Sequence, residues 1–219
     1  MQKFLKPLLL SIALVATSNF AFAKDEKISI TIMSPSAVKA ALGDFPAAGS
    51  AEEAAEVKTL ISLQDKRTIE QCDFAQSQNS VSLKSLFVDN NGPLTEKEAS
   101  QIESATFKDY AQTGLNIYLA KKMYNRPRPY DAHPEVKPCI DHETSMSFPS
   151  GHATIARYYA NVLSEYFPQR RAAFFKRAAE SSANRVIGGV HYPSDVAAGD
   201  KFGDTLYALY KQNGKKDHK

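Results

Sequence analysis

The stretch Phe148-Pro149-Ser150-Gly151-His152-Ala153-Thr154 leads into the amphipathic run 153–167. A serine between a proline and a glycine, just before such a run, predicts a loop that becomes a helix with Ser150 as its N-cap. The first N–H groups of a helix have no intrahelical partners and lie at the positive end of the helix dipole. Because Gly151 has no side chain to block that backbone, the stretch predicts an anion-binding helix N-terminus with His152 beside it.

Hydrophobic residues at helical spacing, separated by turn-forming residues, recur along the rest of the chain. No strand pattern of consequence and no repeat of solenoid length is found. A polar loop that contains proline is expected at 130–148. The sequence therefore predicts an all-α fold, a soluble single-domain helical bundle of about six helices. The predicted helical segments are 50–76, 83–88, 95–125, 150–167, 169–187 and 193–212.

The N-terminus has the features of a cleaved signal peptide over residues 1–23. Lys3 and Lys6 form a basic start, 8–16 is a short apolar run, and Ala21-Phe22-Ala23 has the small-x-small pattern of a cleavage site. The apolar run is short for a membrane span. We therefore expect a periplasmic or secreted protein.

Removal of the signal changes the charge balance. The signal contains two of the 27 basic residues and none of the 24 acidic ones, so the mature chain would carry +1 instead of +3. Such a charge gives no ground for expecting nucleic-acid binding, and no later stretch is long and apolar enough to span a membrane. The expected segments of the mature chain are an extended arm or loop at 24–48, the helical domain at 49–213 and a basic tail at 214–219.

The chain has two cysteines, Cys72 and Cys139. In an exported protein they favour a disulfide, which would close a long loop and add about 3–5 kcal/mol. Two buried free thiols are the alternative. Without histidines at matching spacing, the pair does not indicate a structural zinc site.

Reactive side chains concentrate at the ends of the predicted helices, next to loops, where groups from different helices can converge. Guanidinium, ammonium and backbone N–H groups around two histidines suit phosphoryl transfer, because they stabilise negative charge that is spread over several oxygens. The residues are Lys121, Arg126, Arg128, Ser150, Gly151, His152, Arg185, His191 and Asp195.

Three ordered segments resemble the signature of the type 2 phosphatidic acid phosphatase superfamily. They are Lys121 with Arg128-Pro129 after six residues, Pro149-Ser150-Gly151-His152, and Arg185 with His191 after five residues and Asp195 after three more. With an export signal and no predicted membrane spans, the chain resembles the soluble bacterial branch of this superfamily, the class A non-specific acid phosphatases. The chain departs from the family at Asn184, where a serine is usual.

The resemblance implies a role for each matching residue. His191 would attack phosphorus and form a phosphohistidine, Asp195 would bind its other ring nitrogen, and His152 would protonate the leaving oxygen and then activate water. A phosphate monoester and inorganic phosphate would be the ligands, at a mildly acidic optimum, with no metal and no cofactor and with a phosphotransferase side activity. The residues expected to hold the phosphoryl oxygens are Lys121, Arg128, Ser150, Gly151 and Arg185.

Arg126 lacks the family spacing from Lys121, so we interpret it as a solvated or carboxylate-paired surface residue. Alternatives to the phosphatase remain open. A vanadate-dependent haloperoxidase would bind vanadium at His191, and a lipid or pyrophosphate phosphatase would use the same residues. A phosphate-binding bundle would need neither histidine. The sequence leaves the oligomeric state open, with a homodimer as one option.

Overall fold

The computed structural model describes residues 30–214, which are helical apart from turns and connecting loops, with no strand among them. This confirms the all-α prediction. Residues 30–214 form ten α-helices, because the predicted segments 50–76 and 95–125 each contain two and because the predicted arm 24–48 and the start of the predicted loop 130–148 each contain a short one. No helix within 30–214 combines the length and the hydropathy needed to cross a bilayer. In order, they are α1 Pro35–Leu42, α2 Ala51–Gln64, α3 Ile69–Ser77, α4 Leu83–Phe87, α5 Glu96–Ala105, α6 Phe107–Tyr124, α7 Pro129–Ala132, α8 Gly151–Tyr166, a 3₁₀ turn Pro168–Arg170, α9 Arg171–Ile187 and α10 Pro193–Gly214.

The N-terminal arm differs from the expectation, because 24–48 contains helix α1. Its ends carry ordinary helix signals: Ser34 accepts from the backbone N–H of Ala37, Pro35 lies in the first turn, and Gly43 ends the helix at φ 72°. The signal peptide at 1–23, residues 24–29 and the tail residues 215–219 lie outside the described residues.

Two predicted helices are each divided by a threonine. Within 50–76, α2 ends at Gln64, and Thr68 begins α3 through a capping box with Gln71. Thr106 separates α5 from α6 within 95–125, and its hydroxyl donates to a carbonyl of the preceding turn. In both cases a threonine side chain competes with the helix for local backbone groups, which a hydrophobic pattern does not reveal.

Helix α8 forms the centre of the bundle. It packs mainly against α9 and α10, and it also contacts α6, where Tyr110 stacks on Tyr159. Most of its residues are buried, so α8 is covered on more sides than its amphipathic sequence pattern predicts. Its main buried side chains are Ile155, Tyr158, Tyr159, Val162 and Leu163, which join Phe87, Phe174, Phe202 and Leu206 in the largest apolar cluster.

Two glycines on one face of α10 allow it to lie against the backbone of α8. A Cβ built on Gly199 would be 2.6 Å from the carbonyl oxygen of Ser150, and one on Gly203 would be 2.5 Å from that of Thr154. No side chain fits at those distances. The contact places the first turn of α10 beside the N-terminus of α8, where the Ser150 N–H donates to the carbonyl of Asp195 at 2.9 Å.

Cys72 and Cys139 form a disulfide with an S–S distance of 2.01 Å. It links α3 to the loop between α7 and α8, across 67 residues of sequence. The same loop is attached to the α9–α10 turn, because the Cys139 N–H donates to the carbonyl of Gly188 at 3.1 Å.

We expect Gly203→Ala to lower the free energy of unfolding by about 1–3 kcal/mol, because the methyl group would force α8 and α10 apart. Gly114→Ala is the matched control, since its Cβ would meet no atom within 4 Å, and it should be neutral or stabilise α6 by up to about 1 kcal/mol. Urea denaturation measures both. Equal stabilities for the two variants would contradict the close contact.

Candidate active site

His191 lies in the turn between α9 and α10 and is fully buried. Its Nδ1 is 3.2 Å from Oδ2 of Asp195, four residues on in the first turn of α10. A carboxylate accepts in this contact, so Nδ1 carries the proton. Arg128 Nη1 donates to Nε2 at 3.0 Å. The lone pair of His191 therefore lies on Nε2, on the side of the arginine.

Asp195 is the most heavily hydrogen-bonded carboxylate of the site. Besides His191, Oδ2 accepts from the Ser147 hydroxyl at 2.5 Å and from the Tyr192 N–H at 2.9 Å. Oδ1 accepts from Arg126 Nη1 at 2.7 Å. These bonds hold the carboxylate in one orientation and thereby orient the imidazole.

Arg126 is 1% exposed, so its interpretation as a surface residue was wrong, although its pairing with carboxylates was right. Its guanidinium bridges Asp195 and Glu56, with Nη2 2.8 Å from the glutamate. It lies between the rings of Phe45 and Tyr192, 4.8 and 3.7 Å from their centroids. The arginine therefore neutralises and orients the carboxylate behind His191. The second Arg-Pro pair was the one sequence signal that singled it out.

Ser150 caps α8 as predicted, since its hydroxyl accepts from the Ala153 N–H at 3.4 Å. A Cβ built on Gly151 would lie 3.5 Å from Ile117 and 3.9 Å from Cε of Lys121. The structure therefore brings the start of α8 next to the predicted lysine of α6.

His152 is 3% exposed and follows in the first turn of α8. Its Nε2 is 3.1 Å from the backbone carbonyl of Asn79, so Nε2 carries a proton and Nδ1 is the atom that titrates. Nδ1 lies 3.6 Å from Oε1 of Glu143. Sequence reasoning did not single out Asn79 or Glu143, since neither belongs to a motif.

Burial lowers the pKa of both histidines. For His152, desolvation and the charge of Arg185 lower the pKa to about 4, against the pull of Glu143. For His191, desolvation and the nearby Arg128 and Lys121 lower the pKa well below its usual 6.5. His191 is therefore neutral over the working range of an enzyme, as a nucleophile must be.

Arg128 is 2% exposed and uses all five of its donors. Nε donates to the Ser145 carbonyl at 2.7 Å, and Nη1 donates to the Val190 carbonyl at 2.8 Å and to His191. Nη2 donates to Glu143 Oε2 at 2.6 Å and to the Ser145 hydroxyl at 3.0 Å. Arg128, which is predicted to bind the phosphoryl group, is thus held by the loop between α7 and α8 and by the turn between α9 and α10.

Arg185, in the last turn of α9, is fully buried. It donates to the Ala75 carbonyl and, at 3.3 Å, to the side chain of Asn79. Its buried Nε–H has no partner among residues 30–214, which leaves a donor free for an anion. Asn184, at the position that departs from the family, donates to Gln78 at 2.7 Å and so links α9 to α3.

Lys121 completes the set of cations. It is 7% exposed, and its ammonium donates to the carbonyls of Met146 and, at 3.4 Å, Ser147. Desolvation and the charge of Arg128 lower the pKa of Lys121 to about 7. The site therefore gains a full positive charge as the pH falls below neutral.

The predicted residues thus converge on one buried, cationic place with two histidines. It can hold a phosphoryl group, present Nε2 of His191 to phosphorus and supply a proton from Nδ1 of His152. Across residues 30–214, no three His, Cys, Asp or Glu side chains are grouped so that they could hold a metal ion.

Among residues 30–214, guanidinium groups and a helix N-terminus thus lie around a carboxylate-backed histidine, an arrangement that suits phosphoryl transfer. Residues 109–214 match the family model of the PAP2 superfamily.

The relatives of the chain are named for different activities. The chain is 36% identical over 108 residues to a lipid A 1-phosphatase of Rhizobium etli, covering 48% of this chain and 47% of that one. It is 37% identical over 112 residues to a non-specific acid phosphatase of Providencia stuartii, covering 48% and 45%. The chain thus spans about half the length of these curated relatives.

Among solved structures, a bacterial vanadium-dependent iodoperoxidase shares the fold. The TM-score is 0.59 at 18% identity, over 76% of this chain and 51% of that one.

We expect sulfate, which keeps its charge over the neutral range, to bind more weakly as the pH rises through about 7, because the unliganded protein then loses the Lys121 proton. Calorimetric titration measures this affinity. Lys121→Met should remove the decline, whereas Lys122→Met, at the exposed neighbouring residue, should retain it. The same pH slope in the wild type and in Lys121→Met would contradict the assignment.

Proposed function

We propose that the protein hydrolyses phosphate monoesters through a phosphohistidine on His191. The observation that carries the proposal is the tautomer of His191: its proton lies on Nδ1 against Asp195, and its Nε2 lone pair lies among buried cations. A histidine that only filled the core would need neither the carboxylate nor the arginine. The acid phosphatase relatives support the same reaction.

The proposed reaction has two steps. In the first, Nε2 of His191 attacks phosphorus, the bond to the leaving oxygen breaks, and Nδ1 of His152 protonates that oxygen. In the second, Nδ1 takes a proton from water, which attacks phosphorus and breaks the P–N bond. An alcohol in place of water would give the phosphotransferase side activity.

The charges of the site support the proposed acidic optimum and metal independence. Lys121, Arg128, Arg185 and the N–H groups at the start of α8 would stabilise the charge on the phosphoryl oxygens. His152 must be protonated to act as an acid, and its pKa of about 4 in the unliganded protein makes that form scarce at neutral pH. A phosphate dianion beside it would raise that pKa toward the mildly acidic range. Activity should persist in the presence of a chelator.

A lipid phosphate monoester is the second candidate substrate. A groove of about 240 Å³ runs beside Lys121, with Tyr118, Met146 and the stem of Lys122 among its lining residues. Leu119 and Met123 add exposed apolar surface on the same helix. A relative named lipid A 1-phosphatase fits this reading. Comparing kcat/KM for an aryl phosphate and for a long-chain phosphate in vesicles separates the two substrates.

A vanadate-dependent haloperoxidase is the remaining alternative. The likeness to the iodoperoxidase shows the fold alone, at 18% identity. If the protein oxidised halide with added vanadate and did not hydrolyse phosphate esters, the haloperoxidase hypothesis would replace the phosphatase hypothesis.

The proposed location is the periplasm, after cleavage behind Ala23. This rests on the basic and apolar pattern of residues 1–23. N-terminal sequencing of the exported protein tests it, and a mature chain that keeps residues 1–23 would contradict it.

We expect His191→Ala to abolish turnover and Asp195→Asn to slow it by on the order of 10²–10⁴-fold, because the amide cannot hold the imidazole in the reactive tautomer. Acid-labile, base-stable radiolabel from a phosphorylated substrate should map to His191. His133→Ala, at a histidine outside the cationic cluster, is the matched control and should keep full activity. Label on Ser150 would refute the phosphohistidine.

A further inference from the structure

A carboxylate from the loop between α7 and α8 lies where the proposed function needs a phosphoryl group. Oε2 of Glu143 is 2.6 Å from Nη2 of Arg128, and Oε1 is 3.6 Å from Nδ1 of His152. The first is the guanidinium expected to hold the phosphoryl oxygens, and the second is the atom expected to protonate the leaving group. One carboxylate thus spans both positions.

The electrostatics show that the whole cationic cluster acts on this side chain. Burial opposes its ionisation, but His191 and His152 when they are protonated, together with the charges of Arg128 and Lys121, lower the pKa of Glu143 to about 2. Glu143 is therefore an anion at any pH at which the enzyme would work.

The hydrogen bonds around Glu143 are incomplete. Oε1 is buried and has no hydrogen-bond partner among residues 30–214, and the buried Nε–H of Arg185 has none either. The carboxylate thus leaves acceptor and donor capacity unused. A tetrahedral dianion, with more oxygens than a carboxylate, can use more of the donors.

The backbone of Glu143 is fixed independently of its side chain. Its N–H donates to the Tyr130 hydroxyl at 3.1 Å, and that hydroxyl donates to the Glu143 carbonyl at 3.0 Å. The Tyr130 ring stacks on His142, with centroids 4.2 Å apart. Rotation of the side chain alone could therefore take the carboxylate off Arg128 while the loop stays in place.

We propose that Glu143 is a specificity-determining residue that occupies the phosphoryl seat in the unliganded protein and that substrate displaces. This rests on the proposed function, because it assigns the seat to a phosphoryl group. A ligand must then bind the cations better than a carboxylate does. Monoanions such as acetate fail, whereas phosphoryl dianions succeed at the expense of some affinity.

Calorimetric titration of inorganic phosphate tests the proposal without depending on turnover. Glu143→Gln should bind phosphate at least about tenfold more tightly than the wild type, because one like charge a few ångströms from the dianion is removed. Damage to the fold would weaken binding, so tighter binding cannot arise from a structural defect. Glu135→Gln removes a charge from the same loop at an exposed position and should leave the affinity unchanged. Equal or weaker binding by Glu143→Gln would overturn the proposal.

Glu143→Ala provides a second test, since it leaves room for a free carboxylate. Acetate should compete with phosphate in this variant and not in the wild type, and failure to compete would count against the proposal. If neither variant folds, a crystal structure of the wild type with phosphate decides. The carboxylate should have left Arg128, and phosphate bound beside an unmoved Glu143 would refute displacement. The two proposals can fail separately. If the wild type hydrolyses phosphate monoesters but Glu143→Gln binds phosphate no more tightly than Glu135→Gln does, the inference about Glu143 is refuted and the proposed function stands.

Discussion

The burial of one carboxylate, Asp195, is the constraint on which the site depends. A buried charge is stable only when its hydrogen bonds are satisfied, and Asp195 obtains them from distant parts of the chain. His191 and the Tyr192 N–H come from its own turn, Ser147 comes from the loop before α8, and Arg126 comes from the segment that follows α6. These parts meet because α10 lies directly against α8. The packing of α10 against α8 therefore also sets the orientation of the His191 imidazole.

The same low-dielectric interior makes the site receptive to anions. Removing cations from water is unfavourable, and here it lowers the pKa of Lys121 to about 7 and that of His152 to about 4. An anion among the buried cations reduces this unfavourable electrostatic energy, and the carboxylate of Glu143 is such an anion. The electrostatic cost of assembling the cluster and its proposed affinity for phosphate thus arise from the same charge balance.

Much of the architecture could be predicted, because helices follow from local periodicity and from N-cap residues such as Ser150. The divisions at Thr68 and Thr106 could not be predicted, because the free energies of a continuous helix and of one interrupted at a threonine differ only slightly. The motif residues were identifiable because their spacing is ordered. Glu143 was missed and Arg126 was interpreted as a surface residue for the opposite reason. Each acts through partners that are distant in sequence, and the second Arg-Pro pair did not show that Arg126 is buried.

The sequence by itself determined the class of the fold and which residue types are available for phosphoryl chemistry, because periodicity, capping and motif spacing are local properties of the chain. Only the tertiary structure decided which nitrogen of His191 carries the proton, that Arg126 is buried behind Asp195, and that Glu143 lies among the cations. Those depend on distances between helix ends that no local pattern encodes. For the stretch from Phe148 to Thr154 the division is clear. The sequence predicted a helix N-terminus suited to an anion, and the packing of α10 and the loop before α8 decided what surrounds it.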